Sequence, residues 1–231
     1  EELNQLNDSI HNRLRKSILQ EAIQGKLVPQ IPEERTAQEL LEQIRQEKQK
    51  LVKEGKLKKF ALSDSVIYKG DDNKYYEQVG KSDKEITEEI AFDLPNGWSW
   101  CRLKDICSIF TGATFKKEET VTTKEGVRIL RGGNISPFEL RIKDDDIFLT
   151  KDKVKEDIIL KENDILTPAV TSLENIGKMV RVNSDMPNTT VGGFVFIIRL
   201  YLKNQWLSKY ILYLLSSPCM IDFMKSITNK S

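Results

Sequence analysis

The amino-acid sequence predicts an α+β fold: a body with a mixed, irregular β-sheet and packed helices, preceded by an N-terminal helical arm of coiled-coil character. Three features carry that expectation. Apolar residues recur at steps of three and four from Leu3 to Gln24 and again from Thr36 to Glu54, the period of a helix with one buried stripe. Between Val127 and Leu200 they gather instead into short runs rich in Val, Ile and Phe, bounded by Gly, Asn and Pro. Their uneven spacing suits strands of a mixed sheet and not a repeated strand–helix unit. Beyond Trp206 the helical period returns.

Residues 1–28 form the arm. Leu3, Leu6, Ile10, Leu14, Ile18 and Ala22 line one side of its helix, and Gln24-Gly25 followed by Pro29 gives it a stop. A stripe that long needs a partner, and helix pairing through Leu3, Leu6, Ile10, Leu14 and Ile18 is expected. Residues 29–231 form the body, which opens with a lead-in helix over 36–57. Thr36-Ala-Gln-Glu39 is a capping box, Ala37, Leu40, Leu41, Ile44, Leu51 and Val52 make the apolar side, and Gly55 terminates it. Residues 65–80 read as a hairpin: Ser65 to Lys69 and Tyr75 to Val79 flank the turn residues Gly70-Asp-Asp-Asn73. Residues 80–91 are charged and unpatterned, as in a connecting loop. At Leu94-Pro-Asn-Gly-Trp-Ser-Trp100 a turn leads into the core, and Leu103, Ile106 and Phe110 continue at helical spacing to Gly112. Strands follow at 127–130, 147–149, 164–167, 178–182 and 194–200. Trp206, Leu207, Tyr210, Ile211 and Leu214 then mark one helix, Pro218 interrupts, and Met220, Phe223, Met224 and Ile227 mark another.

Lys and Arg number 36 against 35 Asp and Glu, so no overall field draws the chain to nucleic acid or membrane, and any anion-binding surface must be local. Cys101, Cys107 and Cys219 are odd in number and lack the close pairing of a zinc knuckle, which suits reduced thiols in the cytoplasm. No apolar run approaches the roughly 18 residues of a membrane helix, so no membrane partner is expected. The chain opens on Glu1 and ends at Asn229-Lys230-Ser231, which reads as a piece of a longer protein.

Catalytic constellations are hard to build from these residues. The single histidine, His11, falls on the polar side of the first helix, so a Ser-His or Cys-His nucleophile pair cannot be assembled within one chain. Gly80-Lys81-Ser82 resembles the end of a phosphate-binding loop, but the glycine required five residues earlier is Tyr75. Asp72-Asn-Lys74 has the carboxylate-x-lysine spacing of some metal-dependent nucleases, yet it sits at a hairpin tip, where a turn explains it better. Asp144-Asp-Asp146 reads as a solvated loop, because a hard cation needs more oxygens arranged around it. No catalytic, cofactor-binding or metal site is expected in the chain.

What remains is a set of polar loops rich in glycine. Thr111-Gly-Ala-Thr114-Phe-Lys116-Lys117 joins hydroxyls to two lysines. Arg128-Ile-Leu-Arg131-Gly132-Gly133-Asn134 closes a strand with a cation and an amide around two glycines. Thr171-Ser172-Leu-Glu-Asn175 and Pro187-Asn-Thr189-Thr190-Val-Gly-Gly193 add short polar side chains, and Asn229 and Lys230 lie in a terminal loop. Arg can grip guanine bidentately, Asn adenine, and hydroxyls and backbone amides hold phosphates, so this vocabulary fits double-stranded DNA. The same residues also make plain turns.

At these residues the chain resembles the specificity subunit of type I restriction-modification systems. Arg15 to Gln30 looks like the end of that family's conserved spacer helix, and Ser65 to Gly80 like the segment just inside its second target recognition domain. Leu94 to Leu103, Arg131 to Ile135, Asn163 to Leu166 and Tyr213 to Ser217 resemble further landmarks, in the expected order. The resemblance implies two DNA target recognition domains separated by paired helices, each domain reading half of a bipartite site. This sequence holds one such domain and one such helix, which implies a fragment or a half-length subunit that pairs with itself. It also implies methyltransferase (modification) subunits and a restriction/translocase subunit as partners, which would use S-adenosylmethionine, ATP and Mg²⁺. The competing expectation is a non-catalytic adaptor whose arm assembles proteins without reading DNA. A self-contained nuclease is disfavoured by the missing acidic–lysine set.

Overall fold

The computed structural model describes residues 2–31, 35–121, 125–169 and 172–228, with the backbone alone for 2–9 and 12. The chain divides into two compact units, Glu1–Cys107 and Ser108–Ser231. That division falls inside the stretch 29–231 that the sequence reads as one body.

In the first unit, helix α1 spans Glu2–Ile23 and α2 spans Ala37–Lys53. Both stop as their glycines predict. Gly25 and Gly55 take φ of 68° and 72°, and each helix end closes with a Schellman pair: Gly25 and Lys26 N–H donate to Ala22 and Glu21, and Gly55 and Lys56 to Val52 and Leu51. The capping box of α2 forms in both directions, Glu39 N–H to Thr36 Oγ1 at 3.3 Å and Thr36 N–H to Glu39 Oε2 at 3.1 Å. The buried face of α2 holds Ile44 and, one turn on, Lys48. Its ammonium donates to the Asp64 carboxylate and to the Asp105 carbonyl at 3.3 Å, so burial costs no unpaired charge.

Strands β1 (Ser65–Lys69), β2 (Tyr75–Val79) and β3 (Ser82–Glu85) make an antiparallel meander in that order. The hairpin is as expected, and Gly80-Lys81 is a two-residue turn joining the paired Val79 and Ser82. The connecting loop expected over 80–91 is instead partly strand. Every residue of β3 is exposed, so no apolar alternation announces it; pairing with β2 alone makes it a strand. A second correction lies just beyond. Helix α3 covers only Leu103–Ile106, and Phe110 sits on strand β4, Cys107–Thr111. The spacing of four between Ile106 and Phe110 mimics a helix, but sheet pairing decides the conformation.

The second unit carries β5 (Thr120–Val121), β6 (Val127–Leu130), β7 (Ile135–Ser136), β8 (Glu139–Leu140), β9 (Ile147–Leu149), β10 (Ile165–Pro168), β11 (Val180–Arg181), β12 (Thr189–Val191) and β13 (Val195–Leu200). They form sheets ordered β11-β10-β13-β4 and β12-β6-β9-β5, with β7-β8 as a small ribbon. The second sheet is mixed, because β12 runs parallel to β6 while β9 runs antiparallel to it. The single irregular sheet of the sequence reading is thus split. Leu130, Ile135, Leu166, Val180, Val191 and Ile197 share one buried cluster, and Val127, Ile129 and Leu149 another. Helices α4 (Gln205–Leu215) and α5 (Pro218–Thr228) follow as expected. Asn204 caps α4, and Pro218 occupies the first position of α5, where its missing N–H costs nothing.

In the first unit Arg102 grips Glu77 (Nε to Oε1, 3.0 Å) and Glu89 (2.8 Å). Hydrogen bonding from Arg102, aided by Ser65 and opposed by burial, lowers the Glu77 carboxyl from 4.5 to about 2. A carboxyl held below its unfolded value contributes stability that is complete above that value and lost as pH falls through the folded one. Urea midpoints followed through Trp98 and Trp100 are therefore expected to drop from pH 4.5 towards about 2, and Glu77→Gln to flatten that drop while lowering the midpoint at pH 7.

Candidate nucleic-acid interface

Four loops of the second unit meet at one place, and main-chain contacts hold them there. Ala113 N–H donates to the Val191 carbonyl at 2.8 Å and Gly192 N–H to the Leu130 carbonyl at 2.8 Å, which stitches 111–114 and 130–132 to 191–193. Ala169 N–H donates to the Phe194 carbonyl at 2.8 Å, bringing in the end of β10. Gly112 is the tightest point. A Cβ there would lie 1.8 Å from the Val191 carbonyl oxygen, so only glycine fits. Phe115 anchors the first loop by packing against the cluster of Val127, Ile129 and Leu149.

The charge of this convergence differs from that of the chain around it. Charged residues make up 31% of the sequence, nearly balanced in sign. Residues 111–117, 131–134, 167–169 and 191–194 nevertheless hold Lys116, Lys117 and Arg131 and no carboxylate. The Lys143 ammonium adds to them, lying 3.4 Å from where a Gly133 Cβ would sit. Such a local cationic face can attract a polyanion although the net charge is near zero.

Beneath the second loop lies a buried carboxylate. Asp146 accepts from Asn134 Nδ2 at 2.6 Å, Arg128 Nη1 at 2.9 Å and Lys143 N–H at 2.9 Å. Burial alone would raise this carboxyl, but those three donors outweigh it and hold it below its ordinary value. Asn134 completes the frame: its Oδ1 accepts from Arg131 N–H at 2.8 Å and its amide also donates to the Arg141 carbonyl at 2.8 Å.

The expected site residues separate into two groups. Thr111, Thr114, Lys116, Lys117, Arg131 and Gly133 are exposed, and Gly132 is half-buried beside Pro168. Ser172 is exposed, while the Asn175 amide donates to its hydroxyl and accepts from Lys178 Nζ at 2.7 Å. Asn134 is a correction. It is 1% exposed with its amide engaged, so it frames the loop and offers no edge to adenine. Arg128 is likewise committed to Asp146 and lies over the Phe148 ring at 4.9 Å. Thr189 and Thr190 are buried in β12, Thr190 Oγ1 donating to the Ile158 carbonyl; the turn vocabulary of Asn188 and Gly192 around them masks a core strand. Thr171, Asn229 and Lys230 lie outside the described residues.

Phe194, Phe196 and Thr167 were not among the expected residues. Their signal is ambiguous in sequence, since an aromatic after Gly192-Gly193 reads as the start of a buried strand. Removing Asp146 takes the charged acceptor from Arg128 and one of the two acceptors from the Asn134 amide, so Asp146→Ala is expected to cost about 3 kcal/mol. Guanidinium denaturation followed by far-UV circular dichroism checks this, and Asp146→Asn should recover part of the loss.

No family model matches the chain. It is 38% identical over 178 residues to the specificity subunit of the type I restriction enzyme EcoAI of Escherichia coli, a match covering 75% of this chain and 26% of that protein. It is 42% identical over 93 residues to the specificity subunit of the EcoEI enzyme of the same organism, covering 40% of this chain and 12% of the relative. The chain thus spans about a quarter or less of the length of these relatives. Among solved structures, the HsdS subunit from Thermoanaerobacter tengcongensis aligns over 61% of this chain and 38% of its own, at 16% identity and a TM-score of 0.40. A structure describing complex assembly and conformational transition of the type I R-M system aligns over 97% and 52%, at 12% identity and a TM-score of 0.39. On its sequence match the chain belongs, over three quarters of its length, with the specificity subunits of type I restriction enzymes.

Proposed function

We propose that this chain reads DNA sequence as the specificity subunit, or half of it, of a type I restriction-modification complex. It directs partner methyltransferase and endonuclease subunits to a bipartite site on double-stranded DNA. The observation that carries the reading is the convergence of four main-chain-stitched loops holding Lys116, Lys117 and Arg131 and no carboxylate. In this reading the chain performs no catalysis. S-adenosylmethionine, ATP and Mg²⁺ belong to the modification and restriction/translocase subunits, and the complex works in the cytoplasm.

Arg131 is the base-reading cation of this proposal. Its Nη2 donates to Asp145, an exposed pair at 3.3 Å with side chains 48% and 74% accessible. Such a pair is worth about 0–1 kcal/mol, whereas a bidentate grip on guanine discriminates by about 1–3 kcal/mol, so DNA wins the guanidinium. Lys116 and Lys117 take phosphates.

The arm supplies assembly. Ile10, Leu14 and Ile18 are 53%, 55% and 46% exposed on α1, and each would contribute roughly 1.5–3 kcal/mol if fully buried. Pairing of this stripe with the same helix of a second copy would set two recognition units at the ends of a helical spacer; the side chains of Leu3 and Leu6 lie outside those described.

Two measurements test the proposal. In complex with the modification subunit, duplex affinity is expected to fall steeply with salt. Lys116→Ala should weaken all sequences alike and reduce the salt slope by about 1, whereas Arg131→Ala should relax selectivity at one position. Affinity indifferent to salt and to both substitutions would remove these loops from the interface. For the arm, sedimentation over a concentration series is expected to show a dimer that Leu14→Asp dissociates; a monomer at high micromolar concentration, unchanged by Leu14→Asp, would overturn self-pairing.

A further inference from the structure

Phe194 is the most exposed large apolar side chain among the described residues, at 79%. It stands on a fixed base. Val195 N–H closes a β-turn onto the Gly192 carbonyl at 3.0 Å, and the Phe194 carbonyl accepts from Ala169 N–H at 2.8 Å. A Cβ on Gly193 would come within 2.9 Å of Thr114 Oγ1, so the turn is also seated closely on the first loop. The backbone is therefore pinned from three sides while the ring faces water.

A second aromatic continues the feature. Phe196, two residues along β13, is 37% exposed and pairs with Thr167 of β10. On the other side β4 neighbours β13, and Gly112 N–H donates to the Val195 carbonyl, which brings Thr111 alongside. An aromatic ridge flanked by threonine hydroxyls thus projects from the loops whose only charges are Lys116, Lys117 and Arg131.

Exposed aromatics on a rigid turn serve either a protein groove or a nucleic-acid base stack. Charge favours the second here: the loops around the ring carry Lys116, Lys117 and Arg131 and no carboxylate of their own, Asp145 reaching Arg131 from outside them, which suits a phosphate-lined partner. We propose that Phe194 is a wedge that enters a base step of the DNA duplex, partly unstacking it, while Phe196 backs it against the bases. Apolar side chains act in this way when cations beside them hold the backbone. The inference rests on the DNA-reading function above and adds to it a specificity-determining residue that makes no hydrogen bond: steps that unstack easily are preferred over stiff ones.

The test uses the full chain in complex with its modification subunit. A pool of random-sequence duplexes is first selected on the wild-type complex. The enriched duplex and an unselected one are then titrated against wild type, Phe194→Ala, Phe194→Trp and, as a control in the other unit, Phe60→Ala; Phe60 is 76% exposed. Phe194→Ala is expected to lose about tenfold in affinity for the enriched duplex and little for the unselected one, the loss of one base-stacking contact. Phe194→Trp should retain most of the affinity and Phe60→Ala all of it. 2-Aminopurine walked through the enriched duplex should brighten at one step with wild type and stay quenched with Phe194→Ala. Equal affinities for Phe194→Ala and wild type, or an equal loss on both duplexes, would overturn the wedge while leaving DNA reading intact. Release of the modification subunit by Phe194→Ala would place the ring on a protein and also overturn it. If the wild-type complex enriches no sequence at all, the DNA-reading function itself fails, and the wedge with it.

Discussion

A buried carboxylate sets the shape of the loop region. Asp146 is 6% exposed and cannot be hydrated, so its charge must be met by donors from the protein, and the chain is bent to supply them. Arg128 comes from β6, Asn134 from the turn that follows it, and Lys143 from the stretch that leads into β9. Because Asn134 also accepts from the Arg131 main chain and donates to the Arg141 carbonyl, one side-chain cluster fixes both arms of the 131–141 excursion. A similar device holds the other sheet. Asp164 is 1% exposed and takes Arg199 through two bonds of 2.7 Å, while the same guanidinium reaches the Asp157 and Ile159 carbonyls. Charge burial is costly unless it is paired and hydrogen-bonded, and these pairs meet that condition with main-chain partners to spare.

Rigidity built in this way bears on recognition. Loops that must order on binding lose conformational entropy at that moment, and only the surplus appears as affinity. Here the four converging loops are tied by main-chain bonds before any partner arrives, and Gly112 lets two backbones approach where a side chain would force them apart. The side chains presented at the surface are then few and chemically distinct: hydroxyls of Thr111 and Thr114, cations of Lys116 and Lys117, the Asp145-paired Arg131, and the Phe194 ring. Each can vary without disturbing the frame beneath, because the frame is made by other residues. That separation is what a fold needs if it is to present different readings on one scaffold.

Much of this was legible in the sequence, and the failures have physical causes. The first helix and the start of the second were read within a residue because their signals are local, the Thr36 capping box and the stop at Gly25, whereas the second ends at Lys53 and not at 57, and the third stops at Ile106. Strands β6, β9 and β13 announced themselves by apolar runs. Strand β3 did not, since all four of its residues are exposed and only pairing defines it, and β12 was hidden because Asn188 and Gly192 look like loop residues. For the candidate site, residue type selected Lys116, Lys117 and Arg131, which the structure leaves exposed. It misled at Asn134, Thr189 and Thr190, because an amide or hydroxyl that satisfies buried groups is the same residue in sequence as one that faces a ligand. Burial is a long-range property, and composition does not reveal it.

The near-neutral charge of the chain and its proposed polyanion face are compatible for a structural reason. Many of the cations elsewhere are spent on internal partners: Arg102 on Glu77 and Glu89, Lys74 on Glu85, Lys153 on Glu119, Arg199 on Asp164. Paired charges a few ångströms apart cancel beyond a Debye length of about 8 Å, so they contribute little to the field at a distance. What a duplex would meet on approach is a cluster of loops with Asp145 paired to its Arg131 and no carboxylate of its own, felt only at close range. On the proposed reading the protein would gain little from long-range steering, and its discrimination would come from contacts made after arrival: a guanidinium exchanging Asp145 for a base edge, hydroxyls at phosphates, and an aromatic ring against the stack. Weak attraction at a distance is then an asset, because it limits the affinity for unselected DNA against which any preference has to be measured.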